Sequence, residues 1–173
     1  MTHHAVVRDA LPSDAPAFAN SQIEAWRAAY AGIFDPEYLA GLDPERLTRG
    51  WTQILGIPVP NVRQLAITVD GTAVGWAGFG APRDDVDGQT GELQGLNLSP
   101  AFWSRGLGSQ LFLAAVAGLR SMQYARAYLW VADGNLRAVD FYERHGWKLD
   151  GGTKHDTRFS PPLLELRMSA PLG

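Results

Sequence analysis

The period of the apolar positions changes several times along the chain, and each change marks an element. Residues 5–8 alternate weakly and predict a short strand. Leu11-Pro12-Ser13-Asp14 supplies a turn in which the Ser13 hydroxyl can cap a helix. From there to about Tyr30, Phe18, Ile23, Trp26 and Tyr30 recur at helical spacing, and Gly32 ends the run. Residues 36–42 predict a second helix. Asp43-Pro44 opens a third, with proline at its first position, and Gly56 with Pro58 and Pro60 stops it. Asp70-Gly71 between apolar runs at 64–69 and 72–80 signals a hairpin. Residues 81–91, rich in Pro, Asp and Gly, predict the most mobile loop of the chain. Residues 92–98 form a strand with a bulge expected at Gly95. The following helix runs to about Ser121 and is apolar on nearly every side, so it should be buried. A continuous apolar strand at 127–132 belongs in the middle of a sheet. A helix at 135–145 ends at Gly146, and strands at 147–150 and 163–168 close the chain. This order predicts an α/β protein of the α+β type with a mixed sheet.

Composition narrows the possibilities. The chain has 173 residues, enough for one domain with a sizeable core, and is 46% hydrophobic and 19% charged. A net charge of −3 lacks the basic excess that general nucleic-acid binding requires; it is compatible with a cationic acceptor. The absence of cysteine removes disulfides, a cysteine nucleophile and thiolate metal sites, and fits a reducing compartment. The longest apolar stretch, 111–119, is too short to span a bilayer, and MTHHAVVRDA lacks a signal-peptide layout. A cytoplasmic protein without a membrane partner is expected. The adjacent His3 and His4 are not read as a metal site, and no carboxylate or histidine cluster has metal-ligand spacing, so no metal is expected.

The informative chemistry lies between a strand and the buried helix, at Ser104-Arg105-Gly106-Leu107-Gly108-Ser109. Glycines let the main chain turn sharply and approach a ligand, and free N–H groups at the helix start favour an anion. A dinucleotide fingerprint needs glycine at 111, where Leu111 stands, and a P-loop needs a lysine that Gly108-Ser109-Gln110 lacks. A diphosphate loop of the CoA type and a turn that merely starts a helix remain.

The stretches GELQGLNLSPAFWSRGLGSQLF and LWVADGNLRAVDFYERHGW resemble the GNAT superfamily of acyl-CoA-dependent N-acetyltransferases. The segment SDAPAFANSQIEAWRAAYAGIFDPEYLAGLDPE looks like the first helices of bacterial members. The resemblance covers nearly the whole chain. It implies a mixed central sheet, splayed near its middle and flanked by helices, with acetyl-CoA as co-substrate in the splay. The main chain of Leu96, Asn97 and Leu98 would bond the pantetheine arm, and a Leu98 N–H freed by the bulge would meet the developing oxyanion. Trp103, Ser104, Arg105, Gly106, Leu107, Gly108 and Ser109 would wrap the pyrophosphate. Trp103 departs from the polar residue of the family pattern, and Arg105 is the candidate for replacement charge.

Asn135 matches an asparagine that touches pantetheine, or is a helix N-cap. Phe141 matches a residue packed on the CoA arm, or is plain core. Tyr142 matches the tyrosine that protonates the leaving thiolate; a thiol near pKa ~8.5 and a phenol near ~10 suit that exchange. Glu92 falls where the histone-acetylating branch carries its general base, with water chains as the alternative. Trp26, Tyr30 and Phe34 would line an acceptor pocket, or serve as core. His145 reads as a helix C-terminal residue. The expected reaction is direct transfer to a primary amine, small-molecule or peptide, by a protein that could be a homodimer. A non-catalytic acyl-CoA sensor, a protein N-terminal or lysine acetyltransferase, and a phosphotransferase are the rival readings.

Overall fold

Turn chemistry and pairing register decide where the ligand-sized gap falls. The computed structural model describes residues 4–173, so His3 lies outside it. Strand β1 (Ala5–Asp9) leads into α1 (Ala15–Ala29), α2 (Pro36–Ala40) and α3 (Pro44–Gly56). Asp35 and Asp43 cap the last two, each accepting from the N–H two residues on at 2.9 Å, and proline follows each cap. Then come β2 (Val62–Val69), β3 (Thr72–Gly80), β4 (Thr90–Leu98), α4 (Leu107–Ser121), β5 (Arg126–Ala132), α5 (Leu136–Arg144), β6 (Lys148–Asp156) and β7 (Leu163–Pro171). Asp70 and Gly71 take φ of 50° and 84°, as the tight β2–β3 hairpin requires.

The seven strands form one sheet in the order β1-β2-β3-β4-β5-β7-β6. All neighbours are antiparallel except β4 and β5. That parallel pair holds only from Thr90↔Arg126 to Glu92↔Tyr128. Past it, β4 runs on to Leu98 and β5 to Ala132 without pairing, and the sheet opens like a V. This is the mixed, splayed sheet flanked by helices that the sequence resemblance implied.

The buried helix α4 packs Leu111, Phe112, Ala115 and Leu119 against Phe79, Leu129, Val131 and Met168 on one sheet face. Burial of each such large side chain stabilises by about 1.5–3 kcal/mol. On the other face, α1 and α3 pack Phe18 and Trp51 over Trp76. That cover extends over β2–β4 and leaves β5–β7 open on this side.

Three local expectations change. The bulge sits at Gln94, because Gly78 faces Gly95 while Phe79 faces Leu93. Gly95 is needed for another reason: a Cβ there would lie 2.5 Å from the Trp76 ring. The last hairpin is longer than its polar sequence suggests, since β6 pairs with β7 through main chain and absorbs Gly151 and Gly152 in a register shift. The loop at 81–89 is tied down: Arg83 binds Glu92, and Asp84 accepts from Trp130 Nε1 at 2.7 Å.

Candidate active site

The gap between β4 and β5 is a cleft of about 360 Å³. It is lined by Trp26 from α1 and Tyr30 at its C-cap, by Leu96, Asn97 and Leu98, by Trp103, Ser104, Gly106, Gly108 and Ser109 of the turn, and by Asn135, Phe141 and Tyr142. Most of the predicted site residues therefore meet in one place.

Ladder phase sets what β4 presents there. Ser99 N–H donates to Val74 C=O at 2.8 Å, so Ser99 and Asn97 face β3. By alternation Leu96 and Leu98 direct their N–H and C=O into the gap. The Leu98 carbonyl accepts from Trp103 Nε1 at 2.7 Å, which leaves the Leu98 N–H as the open group at that residue. Asn97 departs from its neighbours: its main chain belongs to the β3 ladder, and its side-chain amide donates to Ser21 Oγ at 3.2 Å. Ser99 Oγ donates to Glu24 at 2.6 Å, so α1 is fastened to the outer end of β4.

The turn that follows is built for an anion. Ser104 and Gly106 take φ of 59° and 78°, and Gly106 starts α4 without a side-chain cap. The first-turn N–H groups of α4 thus open toward the cleft beside the positive end of the helix dipole. Gly108 adds room, because a Cβ there would meet nothing closer than Phe141 at 3.5 Å. Arg105 lies over the Phe102 ring and, with Leu107, which is buried in the core, is not among the residues lining the cleft. The charge at the mouth comes from Arg137 and Arg144 instead, with Arg137 4.1 Å above the Trp103 ring. Sequence reasoning missed these two because they stand on α5, outside the glycine turn.

His145 does more than end a helix. One ring nitrogen lies 2.7 Å from the Phe141 carbonyl and the other 3.1 Å from Ser109 Oγ, which ties α5 to the turn. Phe141 packs against that imidazole at 4.5 Å, tilted by 44°, and lines the cleft. Asn135 is the N-cap of α5, accepting from Ala138 N–H at 3.2 Å, and its side chain acts on the Tyr30 phenol.

Tyr142 is buried, with 8% of its surface exposed, and lines the cleft. Burial, and to a lesser extent Tyr30, pushes its phenol far above the ordinary value. Tyr30 is also raised by burial, against the Asn135 hydrogen bond. Both phenols stay protonated at neutral pH and can donate a proton or a hydrogen bond.

Glu92 does not join them. It is wholly buried, and Arg83 takes both its oxygens, with the side chain at 2.5 and 3.0 Å and the main-chain N–H at 2.8 Å. It sits where β4 still pairs with β5 and does not line the cleft. A carboxylate held this way is a structural clamp for the 81–89 loop, and that pairing opposes a base role.

A second cleft of about 340 Å³ adjoins the first, beyond Phe34. Phe34 stacks on Trp26 at 5.9 Å and meets Phe159 of the β6–β7 hairpin at 4.7 Å. Tyr38, Asp35 and Asp133 also line it. Of the three predicted acceptor aromatics, Trp26 and Tyr30 line the first cleft and Phe34 the second. Among the described residues no group of three or more His, Cys, Asp or Glu is placed to hold a metal, and no helix is long and apolar enough to cross a membrane.

Residues 23–147 match the acetyltransferase (GNAT) family. Over 141 residues, 80% of this chain and 78% of the relative, the sequence is 25% identical to an uncharacterized N-acetyltransferase, YuaI, of Bacillus subtilis. A stretch of 85 residues is 36% identical to mycothiol acetyltransferase of Thermobispora bispora, covering 46% of this chain and 29% of that protein. Among solved structures, the PaiA N-acetyltransferase from Thermoplasma acidophilum in complex with coenzyme A is similar with a TM-score of 0.75 and 20% identity, over 97% of this chain and 99% of that one.

Proposed function

The chain belongs to the acetyltransferase (GNAT) family, and on that premise we propose that it moves an acetyl group from acetyl-CoA to a small primary amine by direct attack in a ternary complex. The observation that carries this reading is the convergence of three groups on one cleft: the uncapped turn at Gly106, the open main chain of Leu96 and Leu98, and the protonated Tyr142.

In this reading the first-turn N–H groups of α4 hold the pyrophosphate, with Arg137 and Arg144 supplying charge at the mouth. The main-chain groups of Leu96 and Leu98 bond the amides of the pantetheine arm and lay the thioester along β4. The Leu98 N–H receives the carbonyl oxygen as it gains charge. Tyr142 gives its proton to the departing sulfur, an exchange that needs no prior ionisation because burial keeps the phenol protonated. The chain has no cysteine to carry an acyl intermediate, which favours direct transfer.

A small acceptor is favoured over a protein one. The far end of the site is bounded by Phe34 against Phe159, an aromatic wall that stands across the path of an extended peptide. The test is thiol release from acetyl-CoA against a panel of small amines and short peptides, with calorimetry of CoA in parallel. Turnover with amines alone supports the reading; turnover confined to peptides, or CoA binding without any thiol release, overturns it.

A further inference from the structure

One imidazole joins the last turn of α5 to the first turn of α4. His145 N–H donates to the Tyr142 carbonyl at 3.0 Å, three residues back, and the ring takes the Phe141 carbonyl at 2.7 Å. A carbonyl only accepts, so Nδ1 carries a hydrogen whatever the charge of the ring. The other nitrogen, Nε2, stands 3.1 Å from Ser109 Oγ. Ser109 is the third residue of α4 and lines the first cleft, beside the N–H groups that open there.

This geometry allows two states. A neutral ring has a bare Nε2, which accepts the Ser109 hydroxyl hydrogen and leaves the lone pairs of Oγ toward the cleft. A charged ring donates from Nε2 to Oγ and frees the hydroxyl hydrogen to turn toward an anion. The two helix ends pull in opposite directions: the C-terminus of α5 favours a cation at His145, and the N-terminus of α4 opposes it until an anion arrives. The surrounding charges add to that opposition. Arg137 and Arg144 of α5 line the cleft, and Arg105 of the turn lies over the Phe102 ring. Arg120, the one charged residue of α4, is at its far end and donates to the Leu172 carbonyl. Asp140 and Glu143 of α5 are exposed, and among the described residues no carboxylate forms an ion pair with the ring. The ring otherwise packs on Phe141 and Phe112, at 4.5 and 4.8 Å.

We propose that His145 is a positioning residue of the diphosphate site, which takes up a proton when CoA binds and so turns the Ser109 O–H onto a phosphate oxygen. The proposal rests on the transferase reading above and makes the co-substrate affinity of that site proton-linked. The proton comes from solvent on binding and returns to solvent when CoA leaves. Because the bound state holds the extra proton, affinity is highest at acid pH and falls as pH rises through the range where an imidazole discharges, near ~6.5 for an ordinary ring. A tenfold preference for the charged form is lost across about one pH unit above that range.

The deciding experiment is calorimetric titration with dephospho-CoA, which keeps the diphosphate and lacks the 3′-phosphate, a group that itself titrates near pH ~6. Wild type, His145→Asn and Ser109→Ala are compared at pH about 5.5 and about 8.5, and near neutral pH in two buffers of different ionisation enthalpy. Wild type should lose about tenfold in affinity over that range and take up a fraction of a proton near neutral pH. His145→Asn keeps an N–H for the Phe141 carbonyl but has nothing to titrate. Its affinity should be flat, close to the wild-type value at high pH, with no proton uptake. Ser109→Ala leaves the end of α5 untouched and should shrink the pH effect below about threefold. Wild-type affinity that does not vary with pH, or proton uptake that persists in His145→Asn, would overturn the role of His145 and leave the transferase reading intact. No affinity for CoA or dephospho-CoA at any pH would remove both.

Discussion

On the α4 side of the gap the groups that face the cleft are mainly main chain: the N–H groups after Gly106 and the free edge of β4 at Leu96 and Leu98. On the opposite side, in the second cleft, they are largely side chains: Phe34, Tyr38 and Phe159, brought in by the α1–α2 segment, α2 and the β6–β7 hairpin. Main chain reads a constant feature, because amides and phosphates do not change from one acyl-CoA to another. Side chains read a variable one. The difference teaches where specificity can change without disturbing the common half of the reaction.

Substitutions should break along that line. The largest expected effect is Tyr142→Phe, which removes the proposed proton donor and should cut kcat by about 10²–10³-fold with CoA affinity unchanged; steady-state thiol release and calorimetry check it. Gly106→Ala meets no neighbouring atom, so its cost is the left-handed backbone alone, about 1–2 kcal/mol. It should weaken CoA roughly tenfold in a titration and leave the acceptor KM alone. Phe159→Ala should do the reverse, raising the acceptor KM about fivefold through a lost aromatic contact while the acetyl-CoA KM stays put.

Titration sharpens the same contrast. The Tyr142 phenol is raised, so it stays protonated throughout its ordinary range and loses its proton only above it. The kcat profile should therefore show no basic limb up to about pH 10, the ordinary phenol value; a fall near pH 8 would point to a different donor. Glu165 is shifted in the same direction, and its shift bears on stability at ordinary pH. Its raised pKa means that the ionised form is disfavoured in the fold, so it costs stability above that pKa and nothing well below it. Glu165→Gln should then leave Tm unchanged or slightly higher at neutral pH. This is the smallest effect, and thermal melts at pH 5 and pH 7.5 would show it.

The legibility of the two sides differs for the same physical reason. The 104–109 turn is contiguous, and glycine at 106 is demanded by its φ, so the sequence carries it openly. The Asp70-Gly71 hairpin and the buried α4 were equally plain. Trp103 was read as a missing polar group, yet its indole N–H holds the Leu98 carbonyl while Arg137, thirty-odd residues on, brings the charge. Glu92 stood at the right distance from Gly106, but nothing local announced that Arg83 would fold back on it. Glu165 lies in LLELRM, an alternating strand in which a charged residue reads as solvent-facing. Only the register with Ala132 and Lys154 shows what it faces. Local chemistry gave the elements; pairing across the sheet gave their surroundings.

The short parallel contact between β4 and β5 has one more consequence. Unpaired strand edges are ordinarily hazards, because they invite another chain to add itself. Here such an edge is kept indoors, screened by α4 and α5 on one side and by α1 on the other. In the reading proposed above, a rod carrying amide groups at strand-like intervals enters and serves as a surrogate strand. The fold thus converts an aggregation liability into a selective berth.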